Sequence, residues 1–327
     1  MHAAWYERQG GARDVIVVGE LPTPVPAAGE ALVRVMASGV NPSDCNARAG
    51  RFGRAMAFPR VVPHGDGAGI VEAIGAGVDD ALLGRRVWLH NAQRGRALGT
   101  AAQYVALDAR LLAELPDDIG FEVGASLGIP AMTAHLCLLR DGPIDGADVL
   151  VTGGAGAVGF YAIQLAKHHG ARVIATVSGS RKAEDARHAG ADLVLAYRAQ
   201  DVAAAVLDYT GGRGVDRVVE VEFGGNLSAT VKALADNAVV SMYSSVAEPS
   251  PVVPALALMF KGATVRFAHL GLSPLSLRQA AQRGVVEWLR TGRARHRIAF
   301  DAPLARIAGA HEAIESGGRL GTVVVRP

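Results

Sequence analysis

Short apolar runs broken by glycine and proline fill the first third of the chain, at residues 15–18, 31–36, 69–74, 86–90 and 102–107. Runs of this length between turn formers predict β-strands, and without helical spacing between them they predict a small, irregular, barrel-like β domain ending near Phe121. Leu115-Pro116-Asp117-Asp118 reads as the link out of it. From Val123 the pattern changes. Helical spacing through Ala125, Thr133 and Leu138 leads into strands at 149–151, 173–177, 193–196, 215–221, 238–243 and 264–269, with helical stretches at 160–169, 201–209 and 227–235 between them. Six strands alternating with helices predict an α/β fold with a doubly wound parallel sheet. Residues 275–291 and 304–315 carry amphipathic helical patterns, and 322–325 reads as a strand that must find a partner in the first domain. The expected division is therefore 1–122, 123–270 and a C-terminal segment, 271–327, returning to the first domain.

Composition narrows this picture. At 327 residues two domains are expected, and with half the residues hydrophobic and one in five charged the core is ample. A net charge of +2 is too small for a nucleic-acid surface, and the one basic cluster, at 290–297, reads as solvated. Cys45 and Cys137 are the only cysteines and form no C-x-x-C pair, so neither a disulfide framework nor a cysteine zinc site is expected. The first residues lack the apolar core of a signal peptide, and no apolar run reaches the length of a membrane span. These features predict a cytoplasmic enzyme with no membrane or nucleic-acid partner.

The chemistry concentrates between Asp148 and Lys182. Gly154-Ala155-Gly156-Ala157-Val158-Gly159 matches G-x-G-x-x-G between a strand and a helix, the context in which this pattern binds a dinucleotide. Gly156 lets the backbone approach a pyrophosphate, Gly159 lets helix pack on strand, and the helix start faces the negative charge. A glycine-rich turn without a ligand is the alternative. At the end of the next strand an NAD site would place Asp or Glu to accept from the ribose hydroxyls. This chain has Ser178-Gly179-Ser180-Arg181-Lys182, and no carboxylate before Glu184. Hydroxyls and two cations suit a 2′-phosphate, which selects NADPH over NADH, although two solvated residues at a helix start would look the same.

These stretches, with Gly39-Val40-Asn41-Pro42-Ser43-Asp44, Arg48-Ala49-Gly50, Asp66-Gly67-Ala68-Gly69, Gly124-Ala125-Ser126-Leu127-Gly128-Ile129-Pro130, Thr133-Ala134, Lys182, Tyr197, Gly214-Val215-Asp216 and Asn226-Leu227-Ser228, fall in one family's order. The chain resembles the zinc-independent quinone oxidoreductase (zeta-crystallin-like) branch of the medium-chain dehydrogenase/reductase superfamily over essentially its whole length. The resemblance implies a GroES-like β-barrel catalytic domain, a Rossmann domain with a six-stranded sheet, and a homodimer paired along the nucleotide-domain sheet edge.

It also implies the site. Where zinc-dependent relatives place cysteine, histidine and cysteine ligands, this chain has Asn41, Gly65 and Ile129, none of which supplies a thiolate or imidazole, so no metal is expected. His64 beside one of these positions reads as a hydrogen-bonded loop residue. Without a Lewis acid, the implied chemistry is hydride transfer from nicotinamide C4 to an electron-poor acceptor, with the protein positioning the reactants. Asn41 and Asp44 are implied near the nicotinamide and its ribose, and Thr133 near the pyrophosphate or that ribose. Ala155, Gly156, Ala157, Val158 and Gly159 would hold the pyrophosphate, and Ser178, Lys182 and Tyr197 the 2′-phosphate. Tyr243, Ser244 and Ser245 follow the fifth strand, and Phe267, His269 and Leu270 the sixth, where family members contact the cofactor.

Asn46 stands where many relatives have a tyrosine bordering the substrate pocket, and His64 and Tyr243 stand where glycine is common, so the pocket is expected to differ in shape. Three readings result: an NADPH-dependent quinone reductase, a reductase of activated C=C bonds in enones or acrylate-type acids, and a non-catalytic NADPH-binding structural or RNA-associated protein.

Overall fold

A computed structural model of the chain describes residues 1–53 and 55–327. They divide into two compact units, residues 1–129 with 296–327, and residues 130–295.

In the first unit the strand Glu30–Val40 is the spine. Ala31, Val33 and Val35 alternate inward and meet Val71, Val87, Leu89, Val105 and Leu107, the expected consequence of side chains pointing to opposite faces at period two. One edge of Glu30–Val40 pairs antiparallel with Asp66–Ile74, with register shifts that bend the pair. Its first half also pairs with Tyr104–Asp108, and its last residues with Thr322–Arg326, so one long strand serves three partners in the curved seven-stranded sheet. The C-terminal strand thus finds its partner at Ser38, Gly39 and Val40. The helix Ile307–Glu315 buries Ile307, Ala310, His311 and Ile314, one face at helical spacing, in a second cluster with Val40, Cys45, Val62 and Val323. Val15 lies in the helical turn Ala12–Val15, and the strand expected at 15–18 runs instead over Val17–Glu20.

In the second unit six parallel strands lie in the order Leu193–Ala196, Arg172–Val177, Asp148–Val151, Val215–Glu220, Leu234–Met242 and Thr264–Phe267. The central Asp148–Val151 is buried at every position, as a strand covered on both faces must be. All six carboxyl ends share one edge.

The boundaries differ from the expected 122/123 and 270/271. Phe121–Gly124 stays with the first unit because Gly124 lies against Ala68 and Leu115. The helix Leu275–Arg290 belongs to the second, since its Trp288 meets Tyr161 edge-on at 5.8 Å between ring centres and Ala281, Val285 and Leu289 are buried beside it. Only residues 296–327 return to the first unit.

Candidate functional site

The helix Ala157–His168 begins at Gly156, straight after the first strand of the six-stranded sheet. Its first amides, at Ala157, Val158 and Gly159, occupy the turn where a helix leaves N–H groups without intrahelical acceptors. A Cβ at Gly159 would strike the Gly153 carbonyl, so only glycine lets this helix approach its strand so closely. Ser178 follows the neighbouring strand, Lys182 sits in the opening turn of the helix Ser180–His188, and Tyr197 comes beside them through its N–H, which donates to the Val177 carbonyl at 3.2 Å. Tyr197 is exposed, with the Arg198 guanidinium over its ring at 5.8 Å. The edge thus carries a hydroxyl, an aromatic face and cations, with no carboxylate from 178 to 183.

Tyr243 follows the fifth strand and its amide donates to the Glu220 carbonyl at 3.0 Å. Burial, with Cys137 and Glu220 nearby, pushes its phenol well above the ordinary value, so it remains a neutral O–H donor. The Ser244 carbonyl accepts from Phe223 at 3.1 Å. The Ser245 hydroxyl accepts from the Gly224 amide at 2.9 Å and donates to the Glu248 carbonyl at 2.5 Å, so it is committed to its own loop. Phe267 ends the sixth strand largely exposed, His269 precedes the short turn Leu270–Leu272, and Leu270 is buried. Thr133 is buried in the helix Gly128–Leu139.

Two carboxylates that the sequence reading missed organise this edge. Glu220, fully buried, accepts from the Thr152 hydroxyl at 2.7 Å, the Glu222 amide at 2.7 Å, the Asn226 side chain at 2.8 Å and the Thr230 hydroxyl at 3.2 Å. Thr152 in turn accepts from the Val221 amide at 2.9 Å, which ties the end of the first strand to the end of the fourth. Glu222 accepts from the amides of Val246, Ala247 and Glu248 at 2.8, 3.0 and 3.3 Å. Burial would lift its pKa, but the amides of Ala247, Val246, Glu248 and Gly225 hold it below the usual carboxylate range. A glutamate ending the apolar run of strand Val215–Glu220 was the available signal.

In the first unit, Asn41 caps the helix Pro42–Ala49 and joins two buried carboxyls. Its amide donates to Asp44 Oδ2 at 2.8 Å, the helix-capping arrangement, and its side-chain Nδ2 donates to Asp66 Oδ2 at 2.8 Å. Asp66 Oδ2 also accepts from the Ile129 amide at 2.7 Å, and a Cβ at Gly128 would collide with Oδ1. Burial pushes Asp44 up to about 7 against the amides of Asn41 and Gly65. It pushes Asp66 up to about 8, against the Ile129 amide and with Asp44 adding to the rise. Two neighbouring buried carboxyls resist double ionisation. Asn46 faces the surface in part.

His64 is a hydrogen-bonded loop residue, its side chain fully buried and both ring nitrogens engaged, Nδ1 with Ser38 Oγ at 2.8 Å and Nε2 with His311 Nε2 at 2.9 Å. It offers a substrate no polar atom. The set Asn41, Gly65 and Ile129 does not fit a zinc ion, and no group of three His, Cys, Asp or Glu among the described residues could hold a metal.

With this geometry in place, residues 27–117 match the profile described as alcohol dehydrogenase GroES-like domain, and residues 157–289 the profile described as zinc-binding dehydrogenase, a stretch containing none of the three zinc-ligand positions. The chain is 30% identical to the quinone oxidoreductase of Sus scrofa over 97% of its length and 94% of the relative's. It is 30% identical to a 2-haloacrylate reductase of Burkholderia sp over 99% of its length and 98% of that protein's. The structure of Escherichia coli quinone oxidoreductase complexed with NADPH superposes with a TM-score of 0.87 at 26% identity, covering all of both chains. Full-length likeness to such a relative, on a barrel unit and a six-stranded nucleotide-type sheet, leaves one assignment: the chain belongs to the quinone oxidoreductase branch of the medium-chain dehydrogenase/reductase superfamily.

Proposed function

We propose that this protein is an NADPH-dependent quinone reductase that works without zinc. The observation that carries the reading is the carboxylate-free, basic end of the strand Arg172–Val177 beside the glycine turn, which suits a nucleotide with a 2′-phosphate. When bound, NADPH would supply a hydride from C4 of its nicotinamide, which with a proton from solvent takes a quinone to a hydroquinone. The chain's own residues hold and orient. The amides of Ala157, Val158 and Gly159 would receive the pyrophosphate, Ser178, Lys182 and Tyr197 the 2′-phosphate, and Asn41, whose side-chain amide Asp66 fixes, would serve the nicotinamide end. Tyr243, held neutral, would donate to an oxygen that gains charge. In this reading the unit of 1–129 and 296–327 is the catalytic domain, and that of 130–295 the NADPH domain.

A second reading, reduction of an activated C=C bond, draws support from the 2-haloacrylate reductase, since the same hydride geometry serves both. We infer a homodimer because Thr264–Phe267 is an edge strand, with Phe267 exposed on it and Leu256, Met259 and Phe260 exposed on the helix Ala255–Phe260 that precedes it. No described helix is long and apolar enough to cross a membrane, and with two free buried cysteines a reducing cytoplasm fits.

The test is NADPH oxidation, followed by absorbance, against a benzoquinone, a naphthoquinone, an α,β-unsaturated ketone and an acrylate-type acid, with NADH in parallel. Quinone turnover with NADPH preferred supports the first reading. Turnover confined to unsaturated carbonyls moves the assignment to C=C reduction, and silence throughout favours a binding protein.

A further inference from the structure

Five side chains from five segments of the first unit meet in its interior: Cys45, His311, His64, Ser38 and Thr100, none more than 1% exposed. Their polar atoms form an unbroken series. Cys45 Sγ lies 3.4 Å from His311 Nδ1, His311 Nε2 2.9 Å from His64 Nε2, His64 Nδ1 2.8 Å from Ser38 Oγ, Ser38 Oγ 2.7 Å from Thr100 Oγ1, and Thr100 Oγ1 2.5 Å from the Asp66 carbonyl oxygen.

Counting protons gives the series a direction. A carbonyl only accepts, so the Thr100 hydroxyl donates to Asp66. Its one proton is then used, and Ser38 must donate to Thr100. Ser38 must in turn accept from His64, which carries its proton on Nδ1. His64 Nε2 is bare, so His311 donates from Nε2, and its bare Nδ1 accepts from the Cys45 thiol. Five protons make five bonds and none is left over. The opposite order would end on a Cys45 contact to the His311 carbonyl at 3.7 Å and forfeit the short O–H to the Asp66 carbonyl, a poor exchange of a hydroxyl bond for a thiol one. Burial pushes both imidazoles below their ordinary values, reinforced by their mutual proximity at His64 and by Arg48 at His311, so one N–H on each ring is the correct count.

We propose that these side chains form one directional hydrogen-bonded chain that holds the turn from Pro63 to Asp66, making His64 and His311 positioning residues for Asn41. His64 has φ +77°, a backbone region that non-glycine residues seldom occupy unless their surroundings impose it. The backbone side of the turn is held by Ala101 and Thr100, whose amides donate to the Pro63 and His64 carbonyls at 3.1 and 3.0 Å. The imidazole pair holds the other side from the helix Ile307–Glu315. The turn delivers Asp66, and Asp66 aims the Asn41 amide group.

The link to catalysis rests on the reading of Asn41 as a nicotinamide neighbour, whereas the chain itself does not. Nitrogen-15 NMR of the full-length protein labelled at histidine should show, at pH 7, His64 neutral with its proton on Nδ1 and His311 neutral with its proton on Nε2. A cationic ring or a shared tautomer would overturn the proposal. In Ser38→Ala the anchor is lost and the two tautomers should exchange places, so persistence of the original pair would equally sink it. His64→Gly keeps a backbone that suits φ +77°. It should shift the side-chain amide resonance of Asn41 and lower kcat for the acceptor on the order of tenfold or more, with KM for NADPH changed less than about twofold. An unmoved Asn41 resonance with unchanged kcat refutes the positioning role. If the native enzyme reduces neither quinone nor enone, the functional reading falls, and the tautomers and the Asn41 resonance still decide this proposal.

Discussion

The edge of the six-stranded sheet and the interior around Asn41 solve the same problem, holding groups still, by opposite physics. On the sheet edge the anchors are ionised. Glu222 sits below the usual carboxylate range in a cradle of amides, and beyond Ser178, Arg181 is exposed and Lys182 half-buried. Around Asn41 burial suppresses charge instead, lifting Asp44 and Asp66 and lowering His64 and His311. In the proposed function the first suits an anion, which needs charge and exposed amides, and the second an acceptor that gains charge transiently, which gains from surroundings with little competing charge.

The contrast can be tested, and the backbone-built edge should break hardest. Gly159→Ala forces a Cβ into the Gly153 carbonyl, and displacing the helix start should weaken NADPH on the order of a hundredfold, measured by fluorescence titration. Glu220→Ala strands the buried hydroxyls of Thr152 and Thr230 and the Asn226 amide, at a cost of about 2 kcal/mol, or a Tm lower by about 4–8 °C in a thermal melt. Lys182→Ala removes a charge that only the 2′-phosphate uses, so NADPH affinity should fall about tenfold while NADH affinity hardly moves. Equal losses would refute the assignment.

A further test separates the two regions by pH. His64 and His311 are held neutral, so the unfolded chain binds more protons below about pH 6.5 and stability drops as pH falls from there. Asp44 and Asp66 have the opposite sign. They keep protons to about 7 and 8 when folded, whereas unfolded carboxyls release them near pH 4, so stability declines as pH rises from there. Between about pH 4 and 6.5 the two pairs oppose each other, and above 6.5 the carboxyls act alone, each on the order of 1 kcal/mol per pH unit. Melting temperatures of the native protein should therefore decline from pH 6.5 to 8, and Asp66→Asn should flatten that decline. An identical decline in the variant would show that Asp66 is ionised throughout.

The same division explains what could be read from sequence. The strand, glycine turn and helix from Asp148 to His168 are local, each residue's role set by its neighbours, and the six strands follow from their apolar runs. Glu220 was missed because its side-chain partners lie 6, 10 and 68 residues away, and no local pattern marks a carboxylate that three segments share. His311 is further removed, 247 residues from His64, and on its helix it reads only as a histidine on an apolar face. His64 was located as a hydrogen-bonded loop residue, but its partner and its seclusion were not legible. That the compact units divide at 295/296, not at 270/271, has a similar cause, since an amphipathic helix shows which face it buries but not against which unit.

The strand Thr322–Arg326 lies between Glu30–Val40 and Ile298–Pro303 in the curved sheet of the first unit. During synthesis, residues 130–295 are all available while the earlier barrel still lacks an interior strand and the helix that carries His311. The unit of residues 130–295 can thus be complete on the ribosome before the other, and at about 5–20 residues per second the interval lasts seconds. In that window the edge of Glu30–Val40 at Ser38, Gly39 and Val40 is open, a pairing surface for chaperones or neighbouring nascent chains that vanishes when the last strand arrives.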